Sequence, residues 1–154
     1  MIDRREWKKL SQEERLAIIE KDKTMHDRAM YWAIEEDDTD IVAHLLIWEE
    51  SQLTTPLDSF LLDACTFTSP GSVRLLIEAG ANVHAAEDFM LIRSCNVRGV
   101  EVLRLLLDAE PDFEKWDKRK YQLAIDHSCS CCYYGVMKFL KNYREMHSKK
   151  SAHA

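Results

Sequence analysis

Residues 124–135, AIDHSCSCCYYG, place His127, Cys129, Cys131 and Cys132 within six positions. Imidazole and thiol groups at that density are the raw material of a metal centre or a thiol switch. Zinc sites take two cysteines two to four residues apart and a second pair further along the chain. No second cluster accompanies this one. One tetrahedral ion does not easily take both Cys131 and Cys132 with the other two, and a soft monovalent ion suits the spacing better than zinc. Cys129 and Cys132 form a Cys-x-x-Cys pair, but without the βαβ context in which such pairs do redox chemistry. The expected reading is a turn carrying free thiols, with the four side chains as a minor metal or redox alternative.

Other chemistry is sparse. His44, His84, His147 and His153 are dispersed and make no HExxH pair. No GxSxG, phosphate-binding glycine loop or carboxylate pair on a strand is present. The acidic run EEDDTD (35–40) lacks the glycine and distal glutamate of a calcium loop and reads as a solvated turn. Cys65 and Cys95 are expected to pack as small hydrophobes. These observations predict no catalytic residues and no cofactor: the chain is read as a non-enzyme.

The elements that must position these residues belong to one domain. The chain has 154 residues, 46% of them apolar, and a net charge of −6. An acidic surface repels phosphates, so direct binding to nucleic acid is not expected, nor is binding to a membrane. Five cysteines without a scaffold spacing, behind a charged N-terminus without a signal-peptide core, point to a reducing, cytoplasmic setting.

The chain also repeats itself. SFLLDACTFTSPGSVRLLIEAGANVHAAEDF (59–89) lies over FMLIRSCNVRGVEVLRLLLDAEPDFEKWDKR (89–119) without gaps, and MYWAIEEDDTDIVAHLLI (30–47) is a shorter copy. Ala33, Ala64, Ser94 and Ala124 recur at spacings of 31, 30 and 30. A period in this range signals stacked units, each of two short helices and a protruding turn. Thr24 and Thr39 are candidate N-caps in the first unit, and Ser69-Pro70 in the second. Gly80 suits the left-handed residue that ends a helix. Ser11-x-x-Glu14 is a capping-box pattern that starts an N-terminal helix.

The pattern resembles the ankyrin repeat, in a short variant of 30-residue period common in large-virus and microbial proteins. VRLLIEAGANVHAAED is its most specific piece. The resemblance implies an all-α, ankyrin-type solenoid of about four helix-turn-helix repeats with an N-terminal helical cap. Residues 1–25 would be the cap, 26–54, 55–86, 87–116 and 117–143 the repeats, and 144–154 a flexible tail. Several positions depart from the family. Thr-Pro-Leu-His is missing, and Thr55-Pro56-Leu57 lies too far ahead of Ala64. Asp37, Thr68 and Arg98 replace the glycine between the helices. Glu110-Pro111 replaces Gly-Ala in the third turn, which is therefore expected to be reshaped. In this register Ser128 falls at the last inter-helix turn and Cys129–Cys131 are an insertion in it.

Such a stack would bind a protein partner through a concave face, without cofactor. His84, Glu87 and Asp88 fall in the second finger, and Lys115, Trp116, Asp117 and Arg119 in the third. Asp63, Arg93, Asn96 and Gln122 on the first helices should point to the same groove. Trp116 is either an exposed anchor beside arginine or folded back on the neighbouring finger. By analogy the chain would act as an adaptor, or as an inhibitor of a host or rival factor, and in the viral case in the host cytoplasm. It is expected to be monomeric when unbound. The alternatives are an acidic mimic of nucleic acid, a metal or redox protein built on residues 127–132, and self-association through an incompletely capped end.

Overall fold

Side-chain oxygens start both N-terminal helices by taking up loose backbone N–H groups. In the computed structural model Asp3 caps α1 (Arg4–Lys9), and Glu6 returns the bond to the Asp3 N–H. Ser11 accepts from the Glu14 N–H to start α2 (Gln12–Lys21), but Glu14 accepts the Ser11 hydroxyl instead of its N–H. The single capping helix expected over 1–25 is thus two helices. Trp7 is fully buried between them and α3, 5.6 Å from the Trp32 ring. The structure describes residues 1–152, and the side chains of 1–148.

The helices that follow are α3 (His26–Glu36), α4 (Thr39–Ile47), α5 (Leu57–Thr66), α6 (Pro70–Glu78), α7 (Met90–Arg93), α8 (Val100–Ala109), α9 (Lys118–Ser130) and α10 (Tyr134–Ala152). Among the described residues there is no strand, and no helix is long and apolar enough to cross a membrane. Helices α3 and α4, α5 and α6, and α9 and α10 pack as pairs. In addition α3, α5, α7 and α9 touch in series, and so do α4, α6, α8 and α10. Ala33, Ala64, Ser94 and Ala124, the small residues of the repeat, are all fully buried, as are Met30, Leu61 and Leu91 one turn earlier.

Local chemistry moves several predicted boundaries. Thr24 lies in a 3-10 turn capped by Asp22, and α3 starts without a side-chain cap. Asp38, not Thr39, accepts from the Ile41 N–H at the start of α4. Thr55-Pro56-Leu57 does open α5, with Pro56 at the N-cap position. Pro70 occupies the first turn of α6 as expected, and Gly80 is left-handed at φ 102°. Asp37 and Thr68 adopt left-handed φ of 52° and 55°. The third inter-helix turn differs: the Asn96 side-chain Oδ1 accepts from the Arg98 N–H, and a Cβ on Gly99 would stand 1.9 Å from the Ser94 carbonyl oxygen. Glu110 is extended at φ −133°, as Pro111 demands.

Two polar contacts hold α3 to α6. The Ser69 hydroxyl donates to the Ile34 carbonyl at the end of α3. The Asp37 carboxylate accepts from Gly71 N (3.2 Å), Ser72 N (2.8 Å) and the Ser72 hydroxyl (2.8 Å), and so caps α6 from the neighbouring pair. At the other end of the chain α10 remains helical through Ala152, where a tail was expected from residue 144. His153, the last of the dispersed histidines, lies outside the described residues.

Candidate functional site

The finger segments are built from turns that few side chains tolerate. The Asn82 side chain accepts from the His84 N–H, turning the chain away from α6. Ala86, Glu87 and Asp88 then take left-handed conformations in succession, at φ 55°, 53° and 65°. Each costs on the order of 1 kcal/mol for a residue with a Cβ. Bonds to the Asp88 carboxylate offset this strain: it lies 2.6 Å from His84 Nδ1 and accepts the Asp117 N–H at 2.6 Å. Asp88 is therefore buried, at 4% exposure, and is not available to a partner.

Trp116 is buried as well, at 2% exposure, which overturns the exposed-anchor reading and leaves the folded-back one. Its ring packs 4.4 Å from that of His84, and its Nε1–H donates to the Glu110 carbonyl at 2.9 Å. The extended conformation of Glu110 puts that carbonyl where the indole can reach it. Glu110 also stands 3.6 Å from His84 Nε2 and 3.5 Å from the Lys115 ammonium. The two segments expected to form the second and third fingers are thus clasped together by Asp88, His84, Trp116 and Glu110.

The other predicted site residues divide in two. Asn96 is tied into the frame, donating to Thr68 Oγ1 and accepting from Arg98 N. Asp117 is exposed but caps α9; hydrogen bonding from the Lys120 N–H holds its carboxyl below the usual range. Asp63 is half-buried, and that burial pushes its carboxyl up. Glu87, Arg93, Lys115, Arg119 and Gln122 remain at the surface. Arg93 lies 5.2 Å over the Phe89 ring, and Gln122 accepts from Arg144 on α10.

The cysteine-rich segment folds differently from its predicted register. Ser128 is buried inside α9, its hydroxyl donating to the Ala124 carbonyl at 2.8 Å. The extra residues lengthen α9 by a turn, and the chain reverses at Cys132, with φ 61°. The Tyr133 N–H then donates to the Ser128 carbonyl, as Asp38 does to Ala33 and Ser69 to Ala64. His127, Cys129, Cys131 and Cys132 are all exposed. Cys131 Sγ is 3.9 Å from His127 Nε2, while Cys132 Sγ lies against the Tyr134 hydroxyl at 3.6 Å. Among the described residues no three His, Cys, Asp or Glu side chains are placed to share a metal ion. Cys65 and Cys95 are buried, and burial pushes their thiols up to about 12 and about 11.

The acidic run 35–40 is more structural than a solvated turn. Glu35 pairs with Arg4, Glu36 and Asp38 with Arg15, and Asp37 caps α6. A further set of carboxylates has a role that the sequence does not show locally. Asp27 accepts from Thr54 and Thr55 N–H, Asp58 from Asn82 N–H, and Asp88 from Asp117 N–H. Each fastens the start of one helix of the first row (α3, α5, α7 and α9) to the segment leading to the next. Their spacings of 31 and 30 match those of the small buried residues, the signal that could have found them.

No family model, curated protein or solved structure matches this chain.

Proposed function

We propose that the protein is a non-enzymatic binding module of ankyrin type, which holds a protein partner against its first-row helices and fingers. One observation carries the reading: side chains at equivalent positions of successive units are alike where buried and unlike where exposed. Leu61, Leu91 and Tyr121 are buried, while two residues on stand the half-buried Asp63 and the exposed Arg93 and Leu123. Packing imposes the first set. Nothing in the packing imposes a change from acid to base to leucine, whereas a surface fitted to a partner would. The clasp between fingers supports the same reading, because a stiff surface loses little conformational entropy on binding.

The contact residues proposed are Glu87, Arg93, Lys115, Arg119 and Gln122, with Asp63 at the edge. Trp116, Asp88 and Asn96 hold these in place rather than touch the partner. The mimicry alternative draws less support, since Glu35, Glu36, Asp37 and Asp38 are engaged within the fold. The adaptor or inhibitor role, and a cytoplasmic setting, belong to the same proposal. A photo-crosslinking amino acid at position 93 or 119 tests it in native lysate. Discrete adducts from these sites and none from position 101 on α8 are expected; the same adducts from all three would refute the assignment of the face.

A further inference from the structure

The row formed by α4, α6, α8 and α10 ends differently on its two sides. On α10, Lys141 is exposed where α8 buries Leu107 and α4 carries Leu46, so this flank is polar. At the other end α1 and α2 pack on α3 and reach α4 at its Asp38 cap. Trp7 meets Trp32, and Arg15 and Gln12 stop at Glu36 and Asp38. The uncovered flank of α4 keeps an open recess of about 330 Å³, lined by Asp40, Ala43, His44, Ile47 and Trp48 alone. Ile47 is 79% exposed, a large apolar side chain left uncovered in the middle of this surface. His44 Nε2 is buried there with no hydrogen-bond partner among the described residues.

Charge decides what fits this flank. Residues 35–50 hold seven carboxylates and no Lys or Arg. Asp40 and Glu49 are exposed, and among the described residues no hydrogen bond or ion pair engages either. Residues 115–154 reverse the balance, with nine Lys and Arg against three carboxylates. Tyr134, Lys138 and Lys141 recur at i, i+4 and i+7 on α10 and form one exposed stripe. Glu145 follows a turn later.

We propose that α10 of a second copy docks on α4, continuing the row head to tail. Tyr134 then stands beside Asp40, and Lys141 lies along Ile47 with its ammonium towards Glu49. Such a contact is heterologous: each copy keeps one free end of each kind, so association does not close at a dimer. One helix against one helix buries little area, and the charges are exposed, so the association is weak and salt-sensitive.

Sedimentation velocity from about 10 μM to about 1 mM, spanning weak affinities, tests this. The expected result is a mass that keeps rising past the dimer and falls back in high salt. Ile47→Lys blocks the α4 end, and Lys138→Glu with Lys141→Glu blocks the α10 end; all three residues are exposed, and circular dichroism checks the fold. Each blocked protein should be monomeric alone, and an equimolar mixture of the two should stop at a dimer, because each supplies the end that the other lacks. A mixture of the Lys138→Glu/Lys141→Glu protein with wild type should shorten the assemblies by ending them. A wild type that stays monomeric throughout, a dimer that survives both blocks, or assemblies of unchanged length in the mixture would each overturn the proposal.

Discussion

Replacing Asp37 with glycine sets two effects of known sign against each other. At φ 52° and ψ 40° the residue is left-handed, so glycine relieves strain on the order of 1 kcal/mol. The same change deletes a carboxylate that accepts three hydrogen bonds from Gly71 and Ser72 at 2.8–3.2 Å. Hydrogen bonds to a charged group contribute about 1.5–3 kcal/mol each at most, and loss of a helix cap costs about 0.5–2 kcal/mol. No other acid occupies the first turn of α6, and the Ser69 hydroxyl is directed at Ile34 instead. Loss of the cap therefore outweighs relief, and Asp37→Gly should be destabilised by about 1–3 kcal/mol, which for a domain of this size is a melting temperature lower by roughly 3–10 °C. Urea unfolding at pH 7 would measure it, with an unchanged m-value confirming that the folded states are comparable. Asp37→Asn, which tolerates the conformation and keeps one acceptor, should fall between the two. Thr68→Gly, which relieves the same conformation at the cost of the Asn96 contact alone, should be close to neutral. Asp37→Gly as stable as the parent would refute the idea that neighbouring helix pairs are held by this cap.

Three further outcomes follow from the packing. Trp116→Ala should lower stability by about 3–5 kcal/mol, as for other buried aromatic residues, and should loosen both fingers in hydrogen exchange rather than only weaken binding. Gly99→Ala should destabilise, because its Cβ would stand 1.9 Å from the Ser94 carbonyl oxygen, whereas Gly135→Ala in open space on α10 should stabilise by about 0.5–1 kcal/mol; thermal melts of the pair decide this. Cys65 and Cys95 are held protonated by burial, with folded values above the unfolded one. Their contribution is fully present below the ordinary thiol range and is lost as pH rises from about 9 towards 11, by on the order of 1 kcal/mol per thiol per pH unit. Cys65→Ala should flatten that alkaline slope in urea titrations, and Ellman's reagent should find Cys129, Cys131 and Cys132 at once but Cys65 and Cys95 only on unfolding.

The repeat was legible because it is a packing constraint written at one spacing. Ala33, Ala64, Ser94 and Ala124 sit where helices must approach closely, and every one is buried. Gly80 and Pro70 were legible because each has a conformation that few residues share. Contacts between units were not. Nothing local to Asp37 indicates that its carboxylate caps a helix that starts 33 residues later. Trp116 was undecided for a related reason: its burial depends on His84 and on the path of Glu110, neither of which is adjacent to it in sequence. The extra turn of α9 was hidden because Ser128 and Cys129, poor helix formers by propensity, are held helical by burial of Ser128 and its bond to Ala124. Of the proposed binding face, the exposed charges could be read from the repeat register, while Asp88 was assigned to the surface although it is buried beneath it.

On the proposed function, a protein partner is held by the first-row face. The most direct test is titration calorimetry of a partner purified from native lysate against the wild type, an Arg93→Glu/Arg119→Glu variant, and an Arg74→Glu control on α6. At least a tenfold loss of affinity, about 1.4 kcal/mol, is expected for the double variant and none for the control. Equal affinities for all three proteins, or a loss confined to Arg74→Glu, would contradict the proposal.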